Sequence, residues 1–437
     1  MAEYFEIQGG KRLRGDVTVN SSKNAAVALL MGSIINRGKT TLQNVPQIEE
    51  VNRLLEVLKS IGVRVLIRDR DLEITTPEKF EIGKINKNSA EKTRSIILLA
   101  GALAGRLTKY TIPQCGGCRL GSRTIAPHLM ALEALGLKIR TDKKGLKINS
   151  KELKSVEKII LYETGDTATE NALLAAAQAE GRTTIKLASA NYMVQDLCLM
   201  LEKMGVKIKG IGTGTLEVFG KKNIKKNVTY KISEDPIEAM FFLSIAATCQ
   251  ASLKIKRCPI DFLELELLKL SKMGLRYEIL KRYVSGNGKT KLADIETRPS
   301  TLVALDDKIH PLPSAGINID NLPFFVPIAC VAKGKTLIHD WVYENRAIYF
   351  TELNRLGAKI TLLDPHRVNI EGPAKLEGAE IMCPPALRPA VIILVAMLAA
   401  RGRSILKGVY PINRGYENLE GRLKKIGAEI KFISNGK

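Results

Sequence analysis

The sequence predicts an α/β protein made of two bodies, each built from three copies of one helix-and-strand unit. The first observation is a recurring amphipathic helix that ends in glycine and is followed by a strand, a turn and a second strand. These glycines recur about every 70 residues, and a left-handed conformation costs glycine little just past a helix end. They are Gly62, Gly136, Gly205, Gly274, Gly357 and Gly427.

A second observation is an apolar helix that comes earlier in each copy and leads through a turn into a strand. These segments span 25–42, 95–112, 170–185, 238–255, 324–338 and 389–406. The unit is therefore helix, strand, helix, strand, strand, which is too long for a thin solenoid repeat. Pairs of strands beside helices predict layered bodies with the helices packed inside. We place the border between the two three-copy bodies near 228–233.

The charge balance favours anionic partners. Lys and Arg number 67 against 45 Asp and Glu, a formal net charge of +22, and such a chain attracts anions. Phosphorylated small molecules and nucleic acid both carry that charge. Aromatic residues are only 5% of the chain, however, and no basic patch is interleaved with stacking aromatics. We therefore expect small-molecule substrates and no nucleic acid.

The composition predicts a cytoplasmic protein without a membrane contact. The longest apolar runs, 25–30 and 389–400, are shorter than the roughly 20 residues that span a bilayer. The first five residues do not resemble a signal peptide. The 7 cysteines are scattered and odd in number, which argues against a disulfide framework and favours a reducing compartment.

A glycine-rich loop at 114–128 carries the first candidate for chemistry. Its glycines give a backbone that can approach a ligand closely, and Cys118 lies among them with Arg119 beside it and Arg123 nearby. Positive neighbours favour thiolate over thiol, so Cys118 is a candidate acid or nucleophile. The alternative is a flexible surface loop with an incidental cysteine.

Three other motifs do not indicate a site. Residues 210–214 are glycine-rich but lie between two short strands, which predicts a hairpin turn and not a dinucleotide-binding loop. Residues 286–290 end like a phosphate-binding loop, but Tyr283 stands where the first glycine is required. Cys115 and Cys118 have the spacing of a metal or redox pair. No second pair or histidine cluster accompanies them, so we predict no metal.

The start of the first apolar helix is typical of an anion site. A serine cap leaves backbone N–H groups free at the positive end of the helix dipole. Lys23 follows Ser22 directly and would add a charge for a phosphate or carboxylate. The alternative is an ordinary capped helix start.

Charged residues at the junctions of several repeats are further candidates. Arginines at equivalent junctions could converge and hold phosphate with two hydrogen bonds each, while any one of them taken singly could be a solvated surface side chain. They are Arg94, Arg346, Arg388 and Arg414. Asp235 and Asp320 each precede a repeat helix. Each could be an N-cap, or could take a proton from a hydroxyl if partly desolvated among arginines.

Together these residues resemble the enolpyruvyl transferase family over nearly the whole chain. The matching motifs are Lys23-Asn24-Ala25-Ala26, Gln43-Asn44-Val45-Pro46, Arg94, Gly116-Gly117-Cys118 with Gly121 and Arg123, Asp320, Glu344-Asn345-Arg346, Arg388 and Arg414-Gly415-Tyr416-Glu417. The shikimate-pathway branch of the family has Lys-Ser where this chain has Lys23-Asn24, and it lacks the cysteine loop. The cell-wall branch is therefore the better match.

The resemblance also implies a fold, a two-domain inside-out α/β barrel. One domain would span 23–230 and carry the Cys118 loop. The other would combine 1–22 with 231–437 and carry Asp320, Arg346, Arg388 and Arg414.

The reaction implied by the resemblance is transfer of the enolpyruvyl group of phosphoenolpyruvate to the 3′-hydroxyl of UDP-N-acetylglucosamine, with release of phosphate and without a cofactor. Such a transferase would serve peptidoglycan synthesis, and with it cell-wall biogenesis, cell shape and the cell cycle. By analogy Cys118 would protonate the methylene carbon or form a covalent adduct, and Asp320 would take the proton of the acceptor hydroxyl. The oligomeric state is not indicated.

The resemblance assigns the binding residues as well. Those implied for phosphoenolpyruvate are Lys23, Asn24, Arg123, Arg346, Arg388 and Arg414, with Lys23 and Arg414 also counted as catalytic. Those implied for the UDP-sugar are Arg94, Arg123, Thr124, Ile125, Ala126, Pro127, Asp320 and Val342.

Five places depart from the family pattern, mostly in the part that reads the nucleotide. Glu49 stands where a second lysine for phosphoenolpyruvate is usual, and Ala126 stands where an aspartate is usual. The other departures are 163–166, Pro236 and Ala386. They leave two alternatives open: a paralogue that uses a different sugar or nucleotide acceptor, and a catalytically weak relative that keeps the fold.

Overall fold

The computed structural model describes residues 3–114, 116, 124–143 and 145–434. The strands, in chain order, are β1 (Tyr4–Gly9), β2 (Arg14–Thr18), β3 (Lys39–Gln43), β4 (Arg64–Arg68), β5 (Asp71–Thr75), β6 (Lys109–Ile112), β7 (Lys138–Asp142), β8 (Gly145–Asn149), β9 (Lys158–Ile160), β10 (Gly181–Lys186), β11 (Lys207–Lys209), β12 (Thr215–Gly220), β13 (Val228–Lys231), β14 (Ser252–Pro259), β15 (Arg276–Val284), β16 (Lys291–Arg298), β17 (Gly334–His339), β18 (Lys359–Asp364), β19 (Arg367–Gly372), β20 (Glu380–Met382), β21 (Gly402–Lys407) and β22 (Glu429–Ile433).

Helices alternate with these strands. The α-helices are α1 (Lys23–Ser33), α2 (Glu49–Ser60), α3 (Lys87–Ala90), α4 (Leu99–Ala102), α5 (Ala126–Ala134), α6 (Asp166–Gln178), α7 (Tyr192–Lys203), α8 (Pro236–Thr248), α9 (Glu264–Lys272), α10 (Phe325–Val331), α11 (Leu387–Ala399), α12 (Tyr410–Asn413) and α13 (Leu419–Lys425). The 3₁₀ helices are Ile82–Lys84, Arg94–Leu98, Ile260–Phe262, Leu322–Phe324 and Ala347–Leu356.

The described chain divides into two compact units. The central unit comprises the described residues of Ser21–Cys118 and Thr124–Ser233, and the terminal unit comprises those of Met1–Asn20 and Glu234–Lys437. In the central unit the sheets have the strand orders β13-β3-β5-β4, β6-β8-β7 and β11-β12-β10-β9. In the terminal unit the orders are β20-β21-β1-β22, β15-β16-β14-β2 and β17-β19-β18.

One strand pattern recurs in all six sheets. The last strand of a repeat lies between the other two and pairs antiparallel with both, as β5 does with β3 and β4. In the sixth repeat this middle place is taken by β1, which pairs with β21 and β22. The N-terminal segment thus completes the last sheet. Four of the sheets also gain a parallel edge strand: β13 on β3, β9 on β10, β2 on β14 and β20 on β21.

The core of each unit is helical. Every residue of α8 is buried in the terminal unit, as are Arg388–Leu398 of α11. In the central unit α1 is buried from Ala25 to Ser33, and α6 from Ala168 to Gln178. Helices that are buried on all sides must be enclosed by other elements, and the sheets of each unit provide that cover. The predicted α/β fold with the helices packed inside is therefore confirmed.

The six repeat glycines all adopt the left-handed conformation predicted for them. Their φ angles lie between 89° and 98°, at Gly62, Gly136, Gly205, Gly274, Gly357 and Gly427. Each ends the second helix of its repeat, a position at which a side chain would strain the backbone. In the fifth repeat that helix is the 3₁₀ helix Ala347–Leu356.

Candidate active site

In the terminal unit, a buried arginine joins two candidate residues that are far apart in the sequence. Arg388 lies in the first turn of α11 and is 8% exposed. It donates one hydrogen bond of 3.0 Å from Nη2 to Oδ2 of Asp320 and another of 3.0 Å from Nη1 to Oη of Tyr416. The Asp320 side chain is 24% exposed, so a partly accessible carboxylate forms an ion pair with a buried guanidinium.

The charges around Arg388 keep this group ionised. Burial alone lowers the pKa of Arg388, but the negative charges of Asp320 and Asp235 more than offset that effect, so its pKa is raised. Burial also raises the pKa of Tyr416, which keeps its phenol protonated at neutral pH. A charge-assisted hydrogen bond from such an arginine is stronger than a neutral one and favours the ionised carboxylate of Asp320.

Arg346 holds the loop that carries Asp320. Its side chain is buried and pairs through Nε with Oδ2 of Asp340. Its Nη2 donates a hydrogen bond of 2.9 Å to the carbonyl oxygen of Ile319, and its guanidinium carbon lies 4.5 Å from the centre of the Tyr343 ring. The guanidinium therefore contacts protein groups beside Asp320 and is not a solvated surface side chain.

The two candidate aspartates differ in their local role. Oδ1 of Asp235 accepts a hydrogen bond of 2.9 Å from the backbone N of Ile237, so Asp235 is the N-cap of α8. Asp320 directs its carboxylate to Arg388 instead, and Asn321 holds the cap position of the next 3₁₀ helix. The N-cap alternative thus describes Asp235 and not Asp320.

In the central unit, Lys23 is the first residue of α1. The Ser22 hydroxyl accepts a hydrogen bond of 3.2 Å from the backbone N of Ala25, which is the predicted serine cap. Nζ of Lys23 lies 3.4 Å from Oε2 of Glu50, and only 16% of the lysine side chain is exposed. Asn24 follows as the second residue of the helix and is partly buried.

Glu50 connects Lys23 to the segment that carries Arg94. Its Oε1 accepts hydrogen bonds of 3.2 Å from the hydroxyls of Thr93 and Ser95, the residues on either side of Arg94. Arg94 in turn donates from Nη2 to the carbonyl oxygen of Thr124 at 3.0 Å. One carboxylate therefore contacts both segments that present the candidate cations of this unit.

Thr124 begins the short segment that the resemblance assigns to the nucleotide. Its hydroxyl accepts a hydrogen bond of 3.1 Å from the backbone N of Ala126. Pro127 lies in the first turn of α5, a position suited to its fixed φ, and Ile125 is the N-cap residue.

Of the remaining predicted residues, Arg414 and Val342 are described by the structure, and the others are not. Arg414 is partly buried at the end of α12 and donates its backbone N to the carbonyl of Tyr410 at 3.0 Å. Val342 is 41% exposed. Cys118, Arg119 and Arg123 lie outside the described residues.

Sequence reasoning missed two residues that hold the candidates. Tyr416 stands within the motif Arg414-Gly415-Tyr416-Glu417, but its contact with Arg388 joins positions 28 residues apart. Glu50 belongs to none of the motifs. An acidic residue in the first turn of a helix is common, so the sequence carries no signal that sets Glu50 apart.

Among the residues that the structure describes, no group of three or more His, Cys, Asp or Glu side chains is placed to hold a metal ion. None of the helices described is long and apolar enough to cross a bilayer.

Comparison with known proteins defines the class. The sequence profile of the family described as EPSP synthase (3-phosphoshikimate 1-carboxyvinyltransferase) matches residues 7–423. The chain belongs to this family of enolpyruvyl transferases, which confirms the family predicted from the motifs.

Individual relatives are similar over their full length. The UDP-N-acetylglucosamine 1-carboxyvinyltransferase of Treponema denticola is 35% identical over 433 residues, which are 99% of each chain. The protein of the same name from Campylobacter fetus subsp. fetus is 32% identical and covers 99% of this chain and 100% of its own. The enolpyruvyl transferase NikO from Streptomyces tendae has the same fold, with a TM-score of 0.83 at 23% identity and 100% coverage of both chains.

Proposed function

We propose that this protein transfers the enolpyruvyl group of phosphoenolpyruvate to the 3′-hydroxyl of UDP-N-acetylglucosamine and releases phosphate. The observation that carries the proposal is the partly exposed carboxylate of Asp320, held 3.0 Å from the buried Arg388. A carboxylate kept ionised and accessible can take the proton of a hydroxyl as it attacks. The names of the relatives that are 35% and 32% identical supply the substrates.

The chemistry requires one base, one acid and several cations. The acceptor oxygen forms a bond to C2 of phosphoenolpyruvate while its proton passes to Asp320. C3 is protonated for part of the cycle, and Cys118 is the proposed donor, or the nucleophile of a covalent adduct. Loss of the C3 proton and of phosphate from C2 then restores the double bond. Cations fixed in advance stabilise the charges that develop.

The proposed roles of the cations follow the resemblance. Lys23, Arg123 and Arg414 would bind phosphoenolpyruvate together with Asn24, and Arg388 would contribute charge beside the base. For Arg346 the contacts with Asp340 and Ile319 favour a role in holding the Asp320 loop. A direct contact with phosphoenolpyruvate is the alternative.

Acceptor recognition is assigned to the segment 124–127, together with Arg94 and Val342. A second candidate function, transfer to a different sugar or nucleotide, is favoured by one feature of this segment. Ala126 brings no polar side chain to the start of α5, and its backbone N already donates a hydrogen bond to the hydroxyl of Thr124. A base-reading aspartate is therefore missing at that position.

The cellular role proposed is an early step of peptidoglycan synthesis in the cytoplasm, which would connect the protein to cell-wall biogenesis, cell shape and the cell cycle. The scattered cysteines of the chain fit that reducing compartment.

Phosphate release from phosphoenolpyruvate tests the proposal. The purified protein is incubated with a panel of UDP-sugars, free uridine nucleotides and 3-phosphoshikimate, and the modified acceptor is identified by mass spectrometry. Product with UDP-N-acetylglucosamine alone supports the first proposal. Product with another acceptor supports the second, and the absence of product with every acceptor supports a weakly catalytic relative.

A further inference from the structure

Glu266 is a buried carboxylate that none of the proposed catalytic steps uses. It lies on α9, and only 2% of its surface is exposed. Burial raises its pKa, while hydrogen bonds from Asn321 and Asn318 lower it by less. The other buried residues of this helix are Leu267 and Leu270, so an acidic side chain occupies the face on which leucines are expected. Burying such a group costs free energy unless hydrogen bonds compensate it.

Those hydrogen bonds come from the loop that carries Asp320. Oε1 of Glu266 accepts a hydrogen bond of 2.8 Å from Nδ2 of Asn321 and another of 3.2 Å from the backbone N of Asn318. One oxygen thus contacts both ends of the four-residue segment 318–321. Asn321 itself is fully buried.

Hydrogen bonds within the segment 318–321 also fix its backbone around Asp320. Oδ1 of Asn318 accepts a hydrogen bond of 2.8 Å from the backbone N of Asp320, and the carbonyl of Asn318 accepts one of 2.8 Å from the backbone N of Asn321. The carbonyl of the intervening Ile319 is held by Arg346. Every residue of the segment therefore has a fixed partner, while the Asp320 carboxylate stays 24% exposed.

We infer that Glu266 is a positioning residue that fixes the Asp320 carboxylate through Asn318 and Asn321. This inference rests on the proposed function, in which Asp320 is the base. A base must lie within hydrogen-bond reach of its proton, and a displacement of about 1 Å by a distant change can cost on the order of 100-fold in rate. These hydrogen bonds join Glu266 to the loop and not to Arg388 or Tyr416. Its effect on the position of Asp320 therefore passes through the backbone of the loop.

Two substitutions at this position separate positioning from mere packing. Glu266→Gln keeps an oxygen that accepts both hydrogen bonds, and its kcat should stay within about 3-fold of wild type. Glu266→Ala removes the acceptor, and its kcat should fall about 10- to 100-fold while KM for each substrate changes less than about 3-fold. The matched control is Glu264→Ala on the exposed face of the same helix, which should leave kcat unchanged.

A variant in the loop covers the case in which Glu266→Ala does not fold. Asn318→Ala removes the link to the Asp320 backbone without touching the buried carboxylate, and it should lower kcat by a similar factor. In the double variant the two losses should not multiply, since both break the same chain of contacts. A folded Glu266→Ala or Asn318→Ala protein with wild-type kcat, or with a change in KM alone, overturns the inference.

Hydrogen exchange gives a readout that does not depend on activity. The backbone amides of Asn318 and Asp320 should exchange faster in the folded Glu266→Ala protein than in wild type or Glu264→Ala; equal protection overturns the inference. Failure of the proposed function is seen separately, as wild-type protein that forms no product with any acceptor, or as Asp320→Asn protein with undiminished turnover.

Discussion

Arg388 and Asp320 form an ion pair of 3.0 Å between residues 68 positions apart in the chain. The arginine side chain is 9% exposed and the aspartate side chain 24% exposed, so the pair lies at the edge of the core with its negative end outward. Arg388 also donates to Tyr416, which fixes the plane of the guanidinium. The pair holds the Asp320 carboxylate in one orientation, as its proposed role of general base requires.

Asp320→Asn should abolish most of the turnover while substrates still bind. An amide has the shape of the carboxylate but cannot take a proton, and general-base catalysis contributes about 10²- to 10⁴-fold. We expect kcat to fall by that factor, with affinities for phosphoenolpyruvate and acceptor, measured by calorimetry, within about 3-fold of wild type.

The control for this change is Asp306→Asn, an exposed aspartate earlier in the same repeat, which should behave as wild type. Undiminished turnover in Asp320→Asn would remove Asp320 from the role of base.

Cys118 should be the cysteine that an epoxide phosphonate mimic of phosphoenolpyruvate modifies. Burial raises the pKa of all five cysteines that the structure describes: Cys198, Cys249, Cys258, Cys330 and Cys383. Thiols of raised pKa react slowly because the thiolate is the nucleophile. Peptide mass spectrometry should find the label on Cys118, and Cys118→Ser should prevent labelling. Label on Cys115 would show that the loop is assigned wrongly.

Much of the fold was predictable because its signals are local. Each repeat ends its second helix with a glycine, such as Gly62, whose φ of 94° follows from that position. The place of β1 was not predictable, because Tyr4 pairs with Lys407 across almost the entire chain and no local pattern indicates such a partner. Long-range pairing is decided by tertiary packing.

The site was predictable only in part, for the same reason. The arginines at the repeat junctions and Asp320 could be identified from the sequence, because charged residues recur where one element of a repeat meets the next. The roles of Glu50 and Tyr416 depend on contacts that the sequence does not show. Glu266 is one of two acidic residues in the first turn of α9, and only the structure shows that it is the buried one. Asp235 is the N-cap of α8, which is one of the two roles that its place before the helix predicted.

Arg346→Met should destabilise the protein, because it leaves Asp340 as an unpaired buried charge. Removing one partner of a buried ion pair costs about 3–5 kcal/mol, and Arg346 is paired with Asp340 in a fully buried position. Urea unfolding should show that loss. The double variant Arg346→Met with Asp340→Asn should recover part of it, since no charge is then left alone.

Kinetics distinguish this role from direct substrate binding. If Arg346 holds the Asp320 loop, kcat falls in the folded fraction while KM for phosphoenolpyruvate stays within about 3-fold of wild type. Unchanged stability with a strongly raised KM for phosphoenolpyruvate would instead place its guanidinium on the substrate.

Glu50→Gln should weaken the binding of phosphoenolpyruvate. The variant keeps an oxygen for Thr93 and Ser95 but loses the charge that orients Lys23 at 3.4 Å. A hydrogen bond to a charged group contributes about 1.5 kcal/mol or more, so KM for phosphoenolpyruvate should rise about tenfold in steady-state kinetics.

Glu56→Gln is the matched control for Glu50. Glu56 lies on the same helix and also accepts hydrogen bonds from a serine, Ser89, and a basic side chain, Arg53, but it contacts none of the candidate residues in these bonds. Its KM should equal that of wild type. An equal rise in both variants would indicate a general effect on α2, contradicting a specific role for Glu50.

Glu170→Gln should stabilise the protein at alkaline pH and much less at acid pH. Glu170 is 2% exposed, and burial, with repulsion from Asp166 as a smaller cause, raises its pKa well above the usual value. An acid whose pKa is higher in the folded protein binds more protons there than in the unfolded chain. The free energy of unfolding of wild type therefore falls as pH rises from the unfolded pKa through the folded pKa. Glutamine carries no charge and avoids that loss.

The melting temperature of Glu170→Gln should exceed that of wild type at pH 8 by more than at pH 5. The exposed Glu180→Gln should show no such difference, and an equal gain at both pH values would contradict the assignment of the effect to ionisation of Glu170.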